Sequence, residues 1–597
     1  MSDFFIWAKA DKIPYRVFSF LSPLKVLKLN SYDQVKDYFN QIENWLKKGY
    51  YACGFISYEL GYLFEEKLKP FLKFSSLPLA CFGIYKNFNK KYIYPNFSLL
   101  DYKVLKQNFY KIKTNITKRE YYEAIEKIKN YILRGDTYQV NFTFKIRFNF
   151  KGDLENLFYL LLFSQRSKYS FFIKSENTYI LSFSPELFLE KRKNIIKSSP
   201  MKGTRKRAPL WEEDLKVRKD FKKDTKNQAE NIMIVDLLRN DLGRICKEGS
   251  VSVSELFKIE TYPTLHQMIS TIKGNLKTNN LYEILKALFP SGSVTGAPKI
   301  RTMEIINELE KEPRGVYTGA IGIIKPNKDF IFNIAIRTLI FKKNFKEAFF
   351  IGEGGFGGGI VWDSNPVKEF EEAILKAQFF LSPLPYFALI ESFFYEPNKD
   401  NPLLLFHFNR LKNSAHYFKF NLPHWLKNFE QFKTFVLEKG KNLNTKKYKA
   451  RLLLYPDGKF ELIFSPFTPW KKNLRIGLVR RNFDLGILFF HKTTFRDPYN
   501  LWKKEAEKLG LAEIVFYDER GFLLEGTISN FFIKKDKKYF TPPLELKILN
   551  GVMREYMIKT FQAEEKFIKI SDLNFAEELY IGNAVRGLGK VSEWIIL

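Results

Sequence analysis

Two lysines stand in settings where an amine could act as a nucleophile. Lys202 lies in SSPMKGTRKR, between a Pro-Met step and a Gly-Thr turn, and Lys492 lies in FFHKTTFRDPY, after an apolar stretch that reads as a strand and before a polar turn. An amine attacks carbon only without its proton, which burial or a neighbouring cation favours. The bland alternative for each is a solvated charge. Lys202 has Arg205, Lys206 and Arg207 close by, and Lys492 belongs to a basic stretch of chain.

Carboxylates form a second set. In AENIMIVDLLRNDLGR, Glu230 has Met233, Ile234 and Leu237 at i+3, i+4 and i+7, so on a helix its charge lies along an apolar face and needs a partner. Pro366 suits the first turn of a helix, which puts Glu369 and Glu372 one turn apart on the same side. Three inward carboxylates make an oxygen-ligand set for Mg2+. An ordinary helix start, favoured by the helix dipole, explains Glu369 and Glu372 equally well from these residues alone.

Gly352, Gly354 and Gly357 spell GxGxxG, but Gly357 to Gly359 lead into Ile360, Val361 and Trp362, which read as a strand. A dinucleotide fingerprint should open a helix instead, and no GK[ST] follows. Glycines here suit close backbone approach, with N–H groups lining a site for carboxylate oxygens. Thr295, Gly296 and Pro298 open a helix containing Ile300, Met303, Ile306 and Leu309, an anion-friendly N-terminus. Singly, each of these is also read as a tight turn.

The elements that must position these groups follow from pattern and length. At 597 residues the chain exceeds one core, and about 150 residues per domain suggests two to four units. Residues 1–115 read as strands with one amphipathic helix near Tyr32 to Lys47, and Gly54 to Glu65 as strand and turn. Thr117 with Glu120 forms a capping box, Tyr121, Ala124, Ile125, Ile128 and Ile132 recur at helical spacing, and Gly135 stops the helix before a strand beyond Tyr138. Strands and helices mix to about residue 380 without βαβ alternation, which favours α+β over a doubly wound sheet. The prolines of LSPLPY, 381–386, mark a linker to a second unit at 387–597, with hairpin turns at PDG and DERG.

Composition narrows the class. The net charge of +32 raises a nucleic-acid reading, but the lysines are spread along the chain and no zinc-finger spacing or RNP-type aromatic string appears. A Lys, Asn, Ile and Phe bias explains the charge. Cys53, Cys81 and Cys246 include no CxxC pair, which argues against a zinc or disulfide framework and fits a reducing cytoplasm. There is no signal-peptide pattern and no apolar run of about 18 residues, so a soluble cytoplasmic protein without membrane or nucleic-acid partners is expected.

The combination of SSPMKGTRKR, AENIMIVDLLRNDLGR, TYPTLHQMIS, SGSVTGAPKIRTMEIINELE, RGVYTGAIG, FNIAIRTL and GGGIVWDSNPVKEFEE resembles the chorismate-utilising enzymes, over roughly 50–380. Within them, KGT at Lys202 to Thr204 is similar to the aminodeoxychorismate synthase form; anthranilate synthases carry alanine at that lysine. The resemblance implies a large α/β sandwich, with 116–380 as the chorismate-binding domain and 1–115 its N-terminal subdomain. It implies chorismate bound with Mg2+ and Lys202 as a nucleophile that adds to the ring and expels the 4-hydroxyl through the allylic system, before ammonia enters at carbon 4. Glu186, in FSPELFL, matches the general acid; Glu230, Glu369 and Glu372 match the metal carboxylates. Arg337 and Tyr317 match residues holding the pyruvyl carboxylate, His266 and Thr295 residues lining the ring, and Gly357 and Gly358 the substrate loop. Met201 departs from the more usual isoleucine. No GxCxG elbow surrounds a cysteine, so ammonia is expected from a separate glutaminase subunit or from solution.

In the second unit, a pyridoxal phosphate site built on a Schiff-base lysine at Lys492 also needs an acid for the ring nitrogen and a cup for the phosphate. Glu525, in LLEGTISNFF, can supply the acid; Arg410, in HFNRLKNSAHYF, and the backbone of Gly551 and Val552, in ILNGVMRE, can supply the cup. With HKT and IGNAVRG these segments resemble the fold-type IV pyridoxal phosphate enzymes, among them 4-amino-4-deoxychorismate lyase. That resemblance implies a smaller α/β domain pair, a possible homodimer, a phosphate-side role for Asn583 and a carboxylate role for Arg586. Together the halves imply 4-aminobenzoate synthesis for folate. An anthranilate-synthase-like unit fused to an amino-acid aminotransferase, and a basic RNA-binding scaffold, are the alternatives.

Overall fold

The computed structural model describes residues 3–94, 108–344, 347–444 and 446–597; the 95–107 part of the expected N-terminal subdomain lies outside the described residues. The chain divides into two compact units, Met1–Arg207 with Val217–Tyr386, and Ala208–Lys216 with Phe387–Leu597.

In the first unit the alternating apolar segments build two ten-stranded sheets among the described residues. One runs from Gly296–Ala297 through Gln139–Phe150, Phe350–Ile360, Thr338–Lys343, Thr178–Ser184 and Tyr169–Ser175 to the N-terminal strands. The other runs from Met201–Lys206 through Leu265–Asn275, Ile195–Ser199, Leu187–Arg192, Phe330–Ile334 and Ala320–Ile324 to Tyr51–Ile56 and beyond. Neighbours such as Gln139–Phe150 and Phe350–Ile360 pair antiparallel, as do Met201–Lys206 and Leu265–Asn275. The inner faces meet through Phe5, Phe171, Ile180 and Ile340 against Phe55, Ile321, Ile323 and Ile331. Helices cover both outer faces, Lys118–Leu133, Leu154–Gln165 and Pro366–Leu381 on the first sheet, Val35–Lys47, Thr225–Ile245 and Leu281–Leu288 on the second. The result is the expected sandwich of the α+β class.

Local signals account for the element ends. Thr117 Oγ1 accepts the Glu120 N–H at 3.2 Å while Glu120 Oε2 accepts the Thr117 N–H at 2.7 Å, a reciprocal cap. Asn365 Oδ1 accepts from the Val367 and Lys368 N–H groups, and Pro366 opens the helix without sacrificing a bonded N–H. Two expectations change. Tyr58–Phe64 is a buried 3-10 helix after the strand Tyr51–Ile56. The glycine run lies wholly inside Phe350–Ile360, and Val361 and Trp362 fall beyond the strand, because the Ser364 hydroxyl accepts the Val361 N–H and starts the turn into the next helix.

The second unit combines a three-stranded sheet, Leu389–Tyr395, Tyr448–Leu454 and Phe460–Pro466, with an eight-stranded mixed sheet. In the latter, Leu474–Arg480 pairs parallel with Glu513–Tyr517 and with Gly587–Ile596. The PDG and DERG turns join Tyr448–Leu454 to Phe460–Pro466 and Glu513–Tyr517 to Leu523–Gly526. The stretch before Lys492 is a 3-10 helix, Gly486–Phe490, and not a strand. Gly486 takes a left-handed φ of +56° and donates its N–H to Asp484 Oδ1 at 2.7 Å, which turns the chain out of extended geometry.

Candidate active sites

Lys202 sits on an irregularity in its strand. The register between Met201–Lys206 and Leu265–Asn275 shifts between Met201 and Thr204, and Gly203 takes a φ of +86°. A bulge of this kind re-aims the side chain it carries. A Cβ at Gly203 would lie 2.6 Å from Asn227 Oδ1, so the backbone passes close to the helix Thr225–Ile245 that bears Glu230. Burial lowers the Lys202 pKa and Lys376 pushes the same way, against Glu230, Glu186 and Glu372. No carboxylate closes an ion pair with its ammonium among the described residues.

Glu186 is 4% exposed. Its Oε1 accepts the Ser293 hydroxyl at 2.7 Å and the Met201 N–H at 3.3 Å, fixing it beside the Lys202 strand. Burial lifts its pKa to about 7 despite those two bonds and the nearby Lys202. A buried carboxyl that keeps its proton near neutrality is chemically a general acid.

Across from this pair lies the glycine strand. A Cβ at Gly359 would fall 2.6 Å from Lys202 Nζ and 2.9 Å from Gln139 Nε2; one at Gly358 would fall 3.4 Å from Lys376 Nζ and 3.6 Å from Glu369 Oε2. At 359 glycine is therefore what leaves room for the heads of Lys202 and Gln139, while at 358 a Cβ would make ordinary contact. Lys376 Nζ donates to the Gly357 carbonyl at 2.8 Å and pairs with Glu372 Oε1 at 3.0 Å. Lys376 holds the Glu372 carboxyl below its usual range, while burial raises that of Glu369, whose Oε1 accepts the Ser364 hydroxyl at 2.8 Å. The carboxylates Glu230, Glu369 and Glu372 thus share one neighbourhood with Lys202 and Lys376. Among the described residues, no group of three or more His, Cys, Asp or Glu converges closely enough to hold a metal. The donors suit Mg2+ in kind, hard oxygens with a backbone carbonyl beside them, and the Lys376 ammonium now engages one of them, Glu372.

The other expected residues lie on adjoining elements, His266, Thr295 and Tyr317 buried and Arg337 half-buried. His266 pairs in register with Arg205, and its Nδ1 lies 3.0 Å from Thr261 Oγ1. Thr295 Oγ1 donates to the Ser291 carbonyl at 3.1 Å, and the Thr295 carbonyl accepts the Asn141 N–H at 2.7 Å. The Tyr317 ring lies against Gly355, where a Cβ would come within 2.1 Å of it. Arg337, at a φ of +49°, donates to Gln165 Oε1 at 3.2 Å and stacks over Tyr262. Sequence reasoning passed over Gln139, Ser293 and Lys376. Gln139 is fully buried, and neither amide atom has a partner among the described residues. Of the three, only Lys376 left a signal, its i, i+4 spacing from Glu372.

In the second unit Lys492 is half-buried. Burial, with Arg410, Arg496 and Lys449 adding to it and Glu391 opposing, brings its pKa down to about 7. Arg410 is gripped by Glu391, Nε to Oε1 at 2.9 Å and Nη2 to Oε2 at 2.6 Å, and His407 Nδ1 lies 2.5 Å from Oε2. Burial alone would raise the Glu391 pKa; Arg410 and His407 reverse this and hold it at about 2. Glu525 accepts the Tyr499 hydroxyl at 2.6 Å and the Leu549 N–H at 3.0 Å, and burial raises its pKa. The helix Val552–Phe561 starts at Gly551 without a side-chain cap, and a Cβ at Gly551 would meet Asn530 Oδ1 at 1.8 Å. Asn583 Oδ1 accepts the Val585 and Arg586 N–H groups, closing a turn; Arg586 donates to the Thr468 carbonyl at 3.0 Å and stacks on Trp470.

These residues fit pyridoxal phosphate. An amine titrating near neutrality, a guanidinium with further cations around it and an open helix N-terminus are what an aldehyde bearing a phosphate needs. Glu391, His407 and Arg496 were not foreseen; they join strand, helix and loop through contacts distant in sequence, which periodicity cannot register.

Comparisons with known proteins agree with this division. Residues 19–382 match the family model for chorismate binding enzymes, and residues 388–594 the model for class IV amino-transferases. Anthranilate synthase component 1 of Aquifex aeolicus is 39% identical over 269 residues, 45% of this chain and 53% of that protein. Aminodeoxychorismate synthase component 1 of Escherichia coli is 39% identical over 275 residues, 46% of this chain and 59% of that protein. The first curated relatives are matched over only 29% to 59% of their own length. The crystal structure of anthranilate synthase component I from Streptococcus pneumoniae superposes with a TM-score of 0.52 at 26% identity, covering 61% of this chain and 92% of that one. No helix among the described residues is long and apolar enough to cross a membrane. A match across more than half its length makes the chain a member of the chorismate binding enzyme family, joined on its C-terminal side to a class IV amino-transferase domain.

Proposed function

We propose that the chain makes 4-aminobenzoate in the cytoplasm in two steps, amination of chorismate to 4-amino-4-deoxychorismate by the first unit and elimination of pyruvate from that product by the second. The observation that carries this reading is Lys202 on its bulge beside Glu186, a carboxyl that still holds its proton near pH 7. The division of labour is 1–115 with 116–380 for amination and 387–597 for elimination, joined by 381–386.

Hydroxide leaves carbon poorly unless protonated. Glu186 gives its proton to the departing 4-hydroxyl, which leaves as water, while the neutral Lys202 amine forms a C–N bond to the ring. Ammonia then bonds to carbon 4 as the Lys202 bond breaks. His266 and Thr295 line the ring, Tyr317 and Arg337 take the pyruvyl carboxylate, and the amide groups of Gly357 and Gly358 face the substrate's carboxylate oxygens. The Gln139 amide offers a donor and an acceptor beside the reacting amine. Glu230, Glu369 and Glu372 would hold Mg2+, which offsets the substrate's carboxylate charge when bound. A separate glutaminase subunit supplies the ammonia.

In the second unit Arg410 and the N–H groups after Gly551 would hold the cofactor phosphate, Glu525 faces the ring nitrogen and Asn583 lies on the phosphate side. Pyridoxal phosphate, when bound, supplies the electron sink for carbanion chemistry. Lys492, with its pKa near 7, carries the proton to and from the substrate carbon. The resemblance to fold-type IV enzymes supports a homodimer formed through this unit.

Chorismate with ammonium, Mg2+ and pyridoxal phosphate should give 4-aminobenzoate and pyruvate. Anthranilate as the sole aromatic product, or amino transfer to 2-oxoglutarate without elimination, would replace this reading.

A further inference from the structure

Two carboxylates one helical turn apart repel unless a cation lies between them. Here a cation of the chain pairs with one of the two and acts on the other through its charge. Lys376, one turn beyond Glu372 on the helix Pro366–Leu381, reaches back to Glu372 Oε1 at 3.0 Å and to the Gly357 carbonyl at 2.8 Å. Glu369 has its Oε1 engaged by the Ser364 hydroxyl, and its Oε2 lies with Lys376 Nζ over the face of Gly358, within 3.6 and 3.4 Å of one Cβ position.

We propose that Lys376 is the resident counter-ion of Glu372 beside Glu369, and that a divalent cation takes up these carboxylates only by displacing its ammonium. The inference rests on the metal reading of these carboxylates given above. An ammonium has only donors and cannot ligate a metal, so the two cannot share the oxygens. The Gly357 carbonyl and Glu372 Oε1 that now receive its N–H groups are the hard oxygens Mg2+ takes at about 2.0–2.1 Å. A four-carbon stem lets the head swing aside without moving the helix. Metal affinity is thereby set partly by a competitor built into the site.

The test is equilibrium binding of Mg2+ and of paramagnetic Mn2+ to the full chain, with no turnover involved. Lys376→Met and Lys376→Gln should bind either metal about tenfold tighter than wild type, and Lys376→Arg no tighter. Equal or weaker binding by both neutral variants, with clear binding by wild type, would overturn the role of Lys376 alone. Binding that Glu369→Gln leaves untouched, or none in any of these proteins, would overturn the metal reading and this inference with it.

Discussion

Burial disfavours the charged form of both Glu186 and Lys202, which are neighbours, raising the carboxyl to about 7 and lowering the amine. The Glu186 proton is present below pH about 7 and lost as the pH rises through that value, so amination should decline on the alkaline side. Glu186→Gln keeps the shape but has no proton to give. Its kcat for amination should fall roughly 10²- to 10⁴-fold with pyruvate elimination intact, measured by supplying each unit with its own substrate. In the second unit, Lys492→Ala should lose the borohydride-reducible chromophore of the cofactor-loaded protein, and persistence of that chromophore would move the attachment elsewhere.

At the scale of elements, the site is made by a bulged strand facing a strand of glycines. The strand Gln139–Phe150 sends Phe142, Phe144, Ile146 and Phe148 into the helix-covered core, while Gln139, Asn141 and Thr143 alternate to the other, also buried, face. Its partner Phe350–Ile360 opposes that face with glycine at 357 and 359, and a methyl group at 359 would have to shift the side-chain ends of Lys202 and Gln139. Gly359→Ala should therefore cost at least about tenfold in amination, by pushing Lys202 and Gln139 apart, with little change in Tm; a fully active variant would show that Lys202 does not work from this position. The helix starts at Lys118 and Pro366 were legible because their caps are local, and the glycine run was legible as strand, with no helix opening at Gly357. The Gly486–Phe490 turn was not legible, since a short apolar run reads as strand whichever way the backbone bends. The partnerships of Glu186 with Ser293 and of Glu391 with Arg410 were hidden because folding, not spacing, brings them together.

At the scale of the molecule, the two units share no sheet, so the separate chemistries proposed for them should fail separately. Glu369→Gln should abolish Mg2+-dependent consumption of chorismate while the second unit still releases pyruvate from 4-amino-4-deoxychorismate; unchanged chorismate turnover would remove Glu369 from the metal site. The central claim is that two amines act on successive forms of one ring acid. It is tested most directly by giving Lys492→Ala protein chorismate, ammonium and Mg2+, then adding Lys202→Ala protein loaded with pyridoxal phosphate. The first protein alone should accumulate 4-amino-4-deoxychorismate, and the second should convert it to 4-aminobenzoate. Formation of 4-aminobenzoate by Lys492→Ala alone, or of anthranilate alone by the mixture, would contradict the account.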